Sequence, residues 1–431
     1  MLFSRSRCRS LVAGLTACGL LVLAGPGRAQ AEALLLIEAS TGKVLHAENA
    51  TYPWYPASVT KLMTAYAALR AVREGRIALD TPMTVTKNAA VQQPTKMGFK
   101  VGTTVTLDNA LKMLMVKSAN DVAVTIAEGV GGSIEGFADV MNANARRLGM
   151  SQSHFVNPNG LPSEGHVSSA RDLGILARAL IREFPEHDHY WNISAIRYGN
   201  RVMRNYNSLI DRYPGADGMK TGFICASGYN VVGSATRNGR RLIVVVLGAY
   251  SGLVRAQKAA QLLERGFASG GLTWLTPSLG TVDALAPIDA QPPNLREEMC
   301  GGHRRKPPSE DNQEEDAVAD AATDGESGQA FMLSSLKPAN GKFVLGPPVE
   351  TNAPVAVFTG PANNPDVIVP TPAKKPAATK TAKPATKKPA ASKTAKPATA
   401  KPAAEKPAAA KPAAKPAAAK PAKPKVSSAG Q

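Results

Sequence analysis

Residues 228–249 read GYNVVGSATRNGRRLIVVVLGA. Gly228 to Ala235 and Arg241 to Ala249 are apolar runs rich in β-branched residues, and Arg237-Asn238-Gly239 between them carries the Asn-Gly pair of a tight hairpin turn. Working outward, a second hairpin is expected near the start, where Ala33 to Ala39 and Lys43 to His46 are joined through Ser40-Thr41-Gly42. Between the two lie helical patterns. Leu62, Ala65, Tyr66 and Leu69 recur at helical spacing within Ser58 to Arg73, and Thr106 to Met115, Asp121 to Ala127 and Ile134 to Leu148 follow, the last stopped by Gly149. Ser169 to Ile181 begins on a capping serine, and Leu253 to Phe267 closes the pattern. Strands at both ends with helices between predict an α+β fold: an antiparallel sheet flanked by helices, plus a helical cluster.

The boundaries follow from composition. Arg5, Arg7 and Arg9, then apolar Leu11 to Leu23, then Ala29-Gln30-Ala31 predict an export signal over residues 1–31. Leu15-Thr16-Ala17-Cys18 resembles a lipoprotein box, but apolar Gly19 to Leu23 continues the signal core past the cysteine. Residues 32–272 are patterned as one folded unit, and 273–370 as a linker interrupted by prolines, with an acidic, disordered stretch at 309–327 and a modest apolar one from Phe331 to Val357. Residues 371–431 repeat Lys-Pro-Ala, which blocks a continuous helix and favours an extended, disordered cationic tether. The net charge of +18 divides accordingly: the tail has fifteen lysines against Glu405, the signal has Arg5, Arg7, Arg9 and Arg28, and the part between is balanced. Once the signal is removed only Cys225 and Cys300 remain, too few for a disulfide framework; pairing and two free thiols, with Cys225 in the core, are both open.

Three short motifs carry chemistry: Ser58-Val59-Thr60-Lys61, Ser118-Ala119-Asn120 and Lys220-Thr221-Gly222. A serine hydroxyl needs a base, and residues three apart share a helix face, so Ser58 can lie beside the Lys61 amine. Lys61 must then spend time neutral, which burial and a nearby cation such as Lys220 would favour. The helix start at Pro56-Ala57 directs unpaired N–H groups toward whatever the serine attacks. Ser118 and Asn120 are expected in a loop, as proton relay and as holder of base and substrate. On an edge strand, Lys220 and Thr221 suit a terminal carboxylate, and Gly222 leaves room for a peptide to add as a further strand.

Together with Pro56 to Thr64, Ser118-Ala119-Asn120-Asp121, Ser168-Ser169-Ala170-Arg171-Asp172 and Gly215 to Gly222, these motifs resemble the serine-type D-Ala-D-Ala carboxypeptidases, the low-molecular-mass penicillin-binding proteins, over about residues 32–270. The resemblance implies a β-lactamase/transpeptidase-like fold and acyl transfer, with Ser58 as nucleophile and Lys61 as base. It implies an oxyanion hole from the backbone N–H groups of Ser58 and Phe223, substrate contacts from Lys220, Thr221 and Gly222, and an arginine, Arg255, near the substrate carboxylate. Peptidoglycan stem peptides are the implied substrate, β-lactams the implied covalent inhibitors, and the periplasm the implied site of action. Membrane-anchored relatives add an all-β domain and an amphipathic helix. Neither pattern is read here, so peripheral membrane association stays open.

No cofactor is implied, and His187-Asp188-His189 reads as a surface turn and not a metal site. A β-lactamase would need a further base, for which Glu164 is the candidate, while a D,D-endopeptidase would use the same residues. The tail resembles histone-like DNA-binding segments, but export removes nucleic acid as a partner, leaving anionic envelope polymers.

Overall fold

Leu242–Leu247 is apolar at every position because the strand carrying it is covered on both faces. The computed structural model describes residues 32–268, 278–302, 345–347 and 353–360. The expected signal, the acidic stretch and the Lys-Pro-Ala tail lie outside the described residues.

In chain order, β1 (Ala33–Glu38) and β2 (Val44–Glu48) precede a 3-10 turn, Ala57–Thr60, that runs into α1 (Lys61–Arg73). Then come β3 (Pro82–Thr84), α2 (Lys87–Ala90), β4 (Thr104–Thr106), α3 (Leu107–Val116), α4 (Asn120–Gly131), α5 (Ile134–Leu148) and α6 (Ala170–Glu183). The strands β5 (Ala195–Tyr198), β6 (Arg201–Arg204), β7 (Ala216–Ile224), β8 (Gly228–Arg237) and β9 (Arg240–Ala249) lead to α7 (Gly252–Ala268), α8 (Arg296–Cys300) and β10 (Val355–Val357).

The main sheet has five strands in the order β2-β1-β9-β8-β7, antiparallel throughout, with β7 at an edge. Because side chains alternate along a strand, Ile243, Val245 and Leu247 join Leu35 and Ile37 against the helical cluster, while Leu242, Val244 and Val246 join Leu36 against α7. Each such aliphatic side chain, fully buried, contributes roughly 1.5–3 kcal/mol. Val122 to Ala127 are all buried, which places α4 inside the helical cluster. Helix ends follow the local chemistry: Ser133 Oγ accepts from Gly136 N at 3.0 Å, Ser169 Oγ accepts from Asp172 N at 3.1 Å, and Gly149 closes α5 in the left-handed region. The expected α+β arrangement is present.

The packed region extends past residue 272. Val282, Leu295 and Met299 are buried, Val282 N donates to Gly42 O at 2.9 Å, and Leu295 N donates to Ala226 O at 3.0 Å. Prolines in this segment leave it short of regular structure beyond α8 but do not prevent packing, so the expected linker is in part a covering layer. Cys225 and Cys300 form a disulfide, which decides between the two readings of the cysteines. The β5–β6 hairpin and the β3–β4 pair are additional to the sequence expectation, while β10, parallel to β5, lies at the end of the apolar stretch Phe331 to Val357. No helix among the described residues is long and apolar enough to cross a membrane.

Candidate active site

The chain enters the Ser58 turn under constraint. Ala57 is held at φ 50°, and buried Asn230 of β8 donates from Nδ2 to Tyr55 O at 3.0 Å and Pro56 O at 3.3 Å, while its Oδ1 accepts from Gly248 N at 3.0 Å. Gly160 presses on the same point: a Cβ there would lie 1.8 Å from Ala57 O, so no other residue fits.

Lys61, 0% exposed, opens α1 with its Nζ 2.9 Å from Ser58 Oγ, 2.8 Å from Asn120 Oδ1 and 2.8 Å from Asn159 O. Both carbonyl oxygens accept only, whereas a hydroxyl can donate. A neutral amine therefore places its two N–H bonds on Asn120 and Asn159 and turns its lone pair to the Ser58 O–H. This is the arrangement a general base requires.

Ser118 links α3 to α4 with φ 57°, and its Oγ, fully buried, has no hydrogen-bond partner among the described residues. Asn120 was expected in the loop but is the first residue of α4, so the helix fixes its direction, and its Nδ2 donates to Gln93 O at 2.8 Å. Beyond it, Asp121 accepts from Met97 N at 3.0 Å and Gly98 N at 2.8 Å.

Lys220, Thr221, Gly222 and Phe223 lie together on the edge strand β7. Lys220 is buried and donates from Nζ to Thr221 O at 3.0 Å. Thr221 Oγ1 is a second buried hydroxyl with no partner among the described residues. The need for glycine at 222 differs from the expectation: a Cβ there would lie 2.7 Å from Ser58 N and 2.9 Å from Val59 N. What the missing side chain admits is the turn that carries Ser58. Phe223, next on the strand, is partly exposed, its ring 4.3 Å from that of Tyr229. Arg255 is 2% exposed on α7 and donates to Asn230 O at 3.2 Å and Tyr206 O at 3.3 Å.

Three contributors were not singled out from sequence. Asn159 supplies a backbone carbonyl and Asn230 a strand anchor, neither marked by residue type. His166 accepts from Val156 N at Nδ1 (3.1 Å), so its proton sits on Nε2, which donates to Thr60 Oγ1 at 2.8 Å. Burial pushes this imidazole down to about 3. The Ser168 to Asp172 string is a brace: Asp172 accepts from Ser153 Oγ at 2.8 Å, Gln152 N at 2.8 Å and Arg171 Nη1 at 2.6 Å. Burial raises its carboxyl, against the opposing pull of these bonds.

Glu164 is exposed, in the loop after Gly160. Asp188 pairs with Arg241 at 2.8 Å, and among the described residues no group of three or more His, Cys, Asp or Glu side chains is placed to hold a metal.

A family profile described as D-alanyl-D-alanine carboxypeptidase matches residues 22–251. The chain is 36% identical over 248 residues to the D-alanyl-D-alanine carboxypeptidase DacC of Escherichia coli, covering 55% of this chain and 61% of the relative. It thus spans less than two thirds of that relative's length. Among solved structures, penicillin binding protein 6B from Escherichia coli superposes with a TM-score of 0.52 at 35% identity, over 55% of this chain and 76% of that one. Penicillin-binding protein D2 from Listeria monocytogenes, in its cefotaxime-bound form, does so with a TM-score of 0.50 at 30% identity, over 55% of this chain and 96% of that one.

Proposed function

The chain belongs to the D-alanyl-D-alanine carboxypeptidase family, and from that premise we propose that it removes the terminal D-alanine from peptidoglycan stem peptides through an acyl-enzyme on Ser58. Ser58 Oγ bonds to the penultimate D-alanine carbonyl carbon as its proton passes to Lys61 Nζ. The backbone N–H groups of Ser58 and Phe223 receive the oxyanion. Collapse breaks the C–N bond, and the terminal D-alanine leaves as the amine, taking that proton by way of the Ser118 hydroxyl. Water then adds to the ester, releasing the shortened peptide and restoring Ser58. Lys220 and Thr221, with Arg255 behind β8, make the end of the cleft that takes the substrate carboxylate. β-Lactams acylate the same serine and are released slowly.

The observation that carries this reading is the 2.9 Å approach of Lys61 Nζ to Ser58 Oγ, with the acceptor-only carbonyls of Asn120 and Asn159 each at 2.8 Å from the same nitrogen. Intact-mass measurement after penicillin exposure tests it: one adduct is expected on the wild type and none on Ser58→Ala, alongside release of D-alanine from stem pentapeptides by the wild type alone. An adduct that survives Ser58→Ala would discard it. Cross-linked muropeptide dimers tell the endopeptidase alternative apart, since that activity would convert them to monomers.

We further propose that residues 1–31 direct export to the periplasm and that residues 371–431 hold the enzyme to anionic envelope polymers. Sedimentation with purified sacculi, with and without the tail, measures the latter. Equal binding at low salt would count against it.

A further inference from the structure

Ser118, in the α3–α4 loop of the helical cluster, and β7, at the edge of the main sheet, are linked by two residues that lie outside the three motifs. Lys117, at the end of α3, reaches Tyr206 in the β6–β7 connection: its Nζ lies 2.6 Å from the Tyr206 hydroxyl and 5.2 Å from the centre of the ring. Tyr206 is 7% exposed and is held through its backbone and both neighbours. Asn205 donates from Nδ2 to Ile193 O at 2.9 Å, Asn207 donates from Nδ2 to Gly218 O at 2.9 Å, and Tyr206 O accepts from Arg255 Nη2 at 3.3 Å. Tyr206 thus touches the residue beside Ser118 on one side and the arginine behind β8 on the other.

The place of this contact along β7 gives it a use. With the scissile carbonyl received at Phe223 N and the terminal carboxylate at Thr221 and Lys220, a substrate runs antiparallel to β7, its C-terminus toward Gly218. A peptide that continued past the carboxylate would advance about 3.3 Å per extended residue along the strand. Its next residue would come level with Met219 and Gly218, where Asn207 already occupies Gly218 O and fixes the Tyr206 segment. We propose that the Lys117–Tyr206 contact is a stop at the leaving-group end of the cleft, admitting one terminal residue and rejecting a peptide that continues beyond it. This assignment rests on the carboxypeptidase reading above, and it names the side chains that confine cleavage to a chain end.

Two synthetic peptides test it, one ending in D-Ala-D-Ala and the other extended by a glycine, with cleavage of the same D-Ala–D-Ala bond read as release of D-alanine or of D-alanyl-glycine. Wild-type kcat/KM should favour the first by about 10³-fold, part of it from loss of the carboxylate at Thr221 and part from the stop. Tyr206→Ala and Lys117→Ala should each raise the extended peptide relative to the other by about tenfold. Tyr206→Phe should fall between, because the ring stays and only its bond to Lys117 is lost. Recognition of the carboxylate alone predicts a ratio that none of these changes moves, and a merely structural role lowers both peptides together. Labelling of Ser58 by a fluorescent penicillin verifies folding, and Lys117, only half-buried, decides the matter where Tyr206→Ala does not fold. A ratio unmoved in the folded variants overturns the stop, as does a wild type that cuts both peptides equally. A wild type that cuts neither overturns the carboxypeptidase reading itself, and the stop with it.

Discussion

Around Ser58, Lys61 is bonded to Ser58, Asn120 and Asn159 among its contacts, Asn120 and Asn230 are bonded at both ends of their amides, and Thr60 is bonded to His166, whereas the buried hydroxyls of Ser118 and Thr221 have no partner among the described residues. An unsatisfied buried hydroxyl costs roughly 1–3 kcal/mol, so the second region is held at some expense of stability. The difference separates two tasks. The surroundings of Ser58 are complete without a ligand, and on the proposed reading the hydroxyls of Ser118 and Thr221 are completed by the substrate.

The severest way to break this contrast is to remove the base. Lys61→Ala should slow acylation by penicillin by about 10³–10⁴-fold, read by stopped-flow labelling, while leaving Asn120 and Asn159 without their donor. Gly222→Ala comes next: its Cβ would push on Ser58 N, and a shift of that size should lower acylation by about 10²-fold with the protein still folded by circular dichroism.

The finished side can also be loosened by acid. With His166 at about 3 in the folded chain against an ordinary 6.5, the unfolded chain binds the extra proton between those values. Stability attributable to His166 is therefore intact above pH 6.5 and is lost as pH falls through the window, by up to about 1.4 kcal/mol per unit. Denaturant titrations from pH 7 to 4 should show this slope in the wild type and a weaker one in His166→Gln. The smallest effect separates stability from activity on the open side. Thr221→Val should leave the melting temperature equal or higher yet lower kcat/KM on a peptide ending in a carboxylate by about tenfold. A drop in both would assign the hydroxyl a structural role.

Much of this was legible in sequence because its causes are local. The Asn238-Gly239 turn, the alternation in β8 and β9 and the three-residue spacing of Ser58 and Lys61 each depend on neighbouring residues alone. What was not legible depends on distant backbone. Asn159 acts through its carbonyl, Gly160 is required by Ala57 about a hundred positions earlier in the chain, and β10 finds β5 only across the intervening sheet. Cys225 and Cys300 gave two readings because their meeting rests on distant contacts, the burial of Leu295 and Met299 against the core, which neither cysteine's neighbours announce.

The Cys225–Cys300 bond spans 75 residues and ties the turn after β7 to the end of α8, in the covering layer that carries Leu295 and Met299. Closing a loop of that length restricts the unfolded chain by about 4 kcal/mol in the entropic account. That contribution exists only where thiols oxidise. A copy retained in a reducing cytosol would keep its serine and lysine but have an unstapled flank, so the same polypeptide would reach its full stability only in an oxidising space.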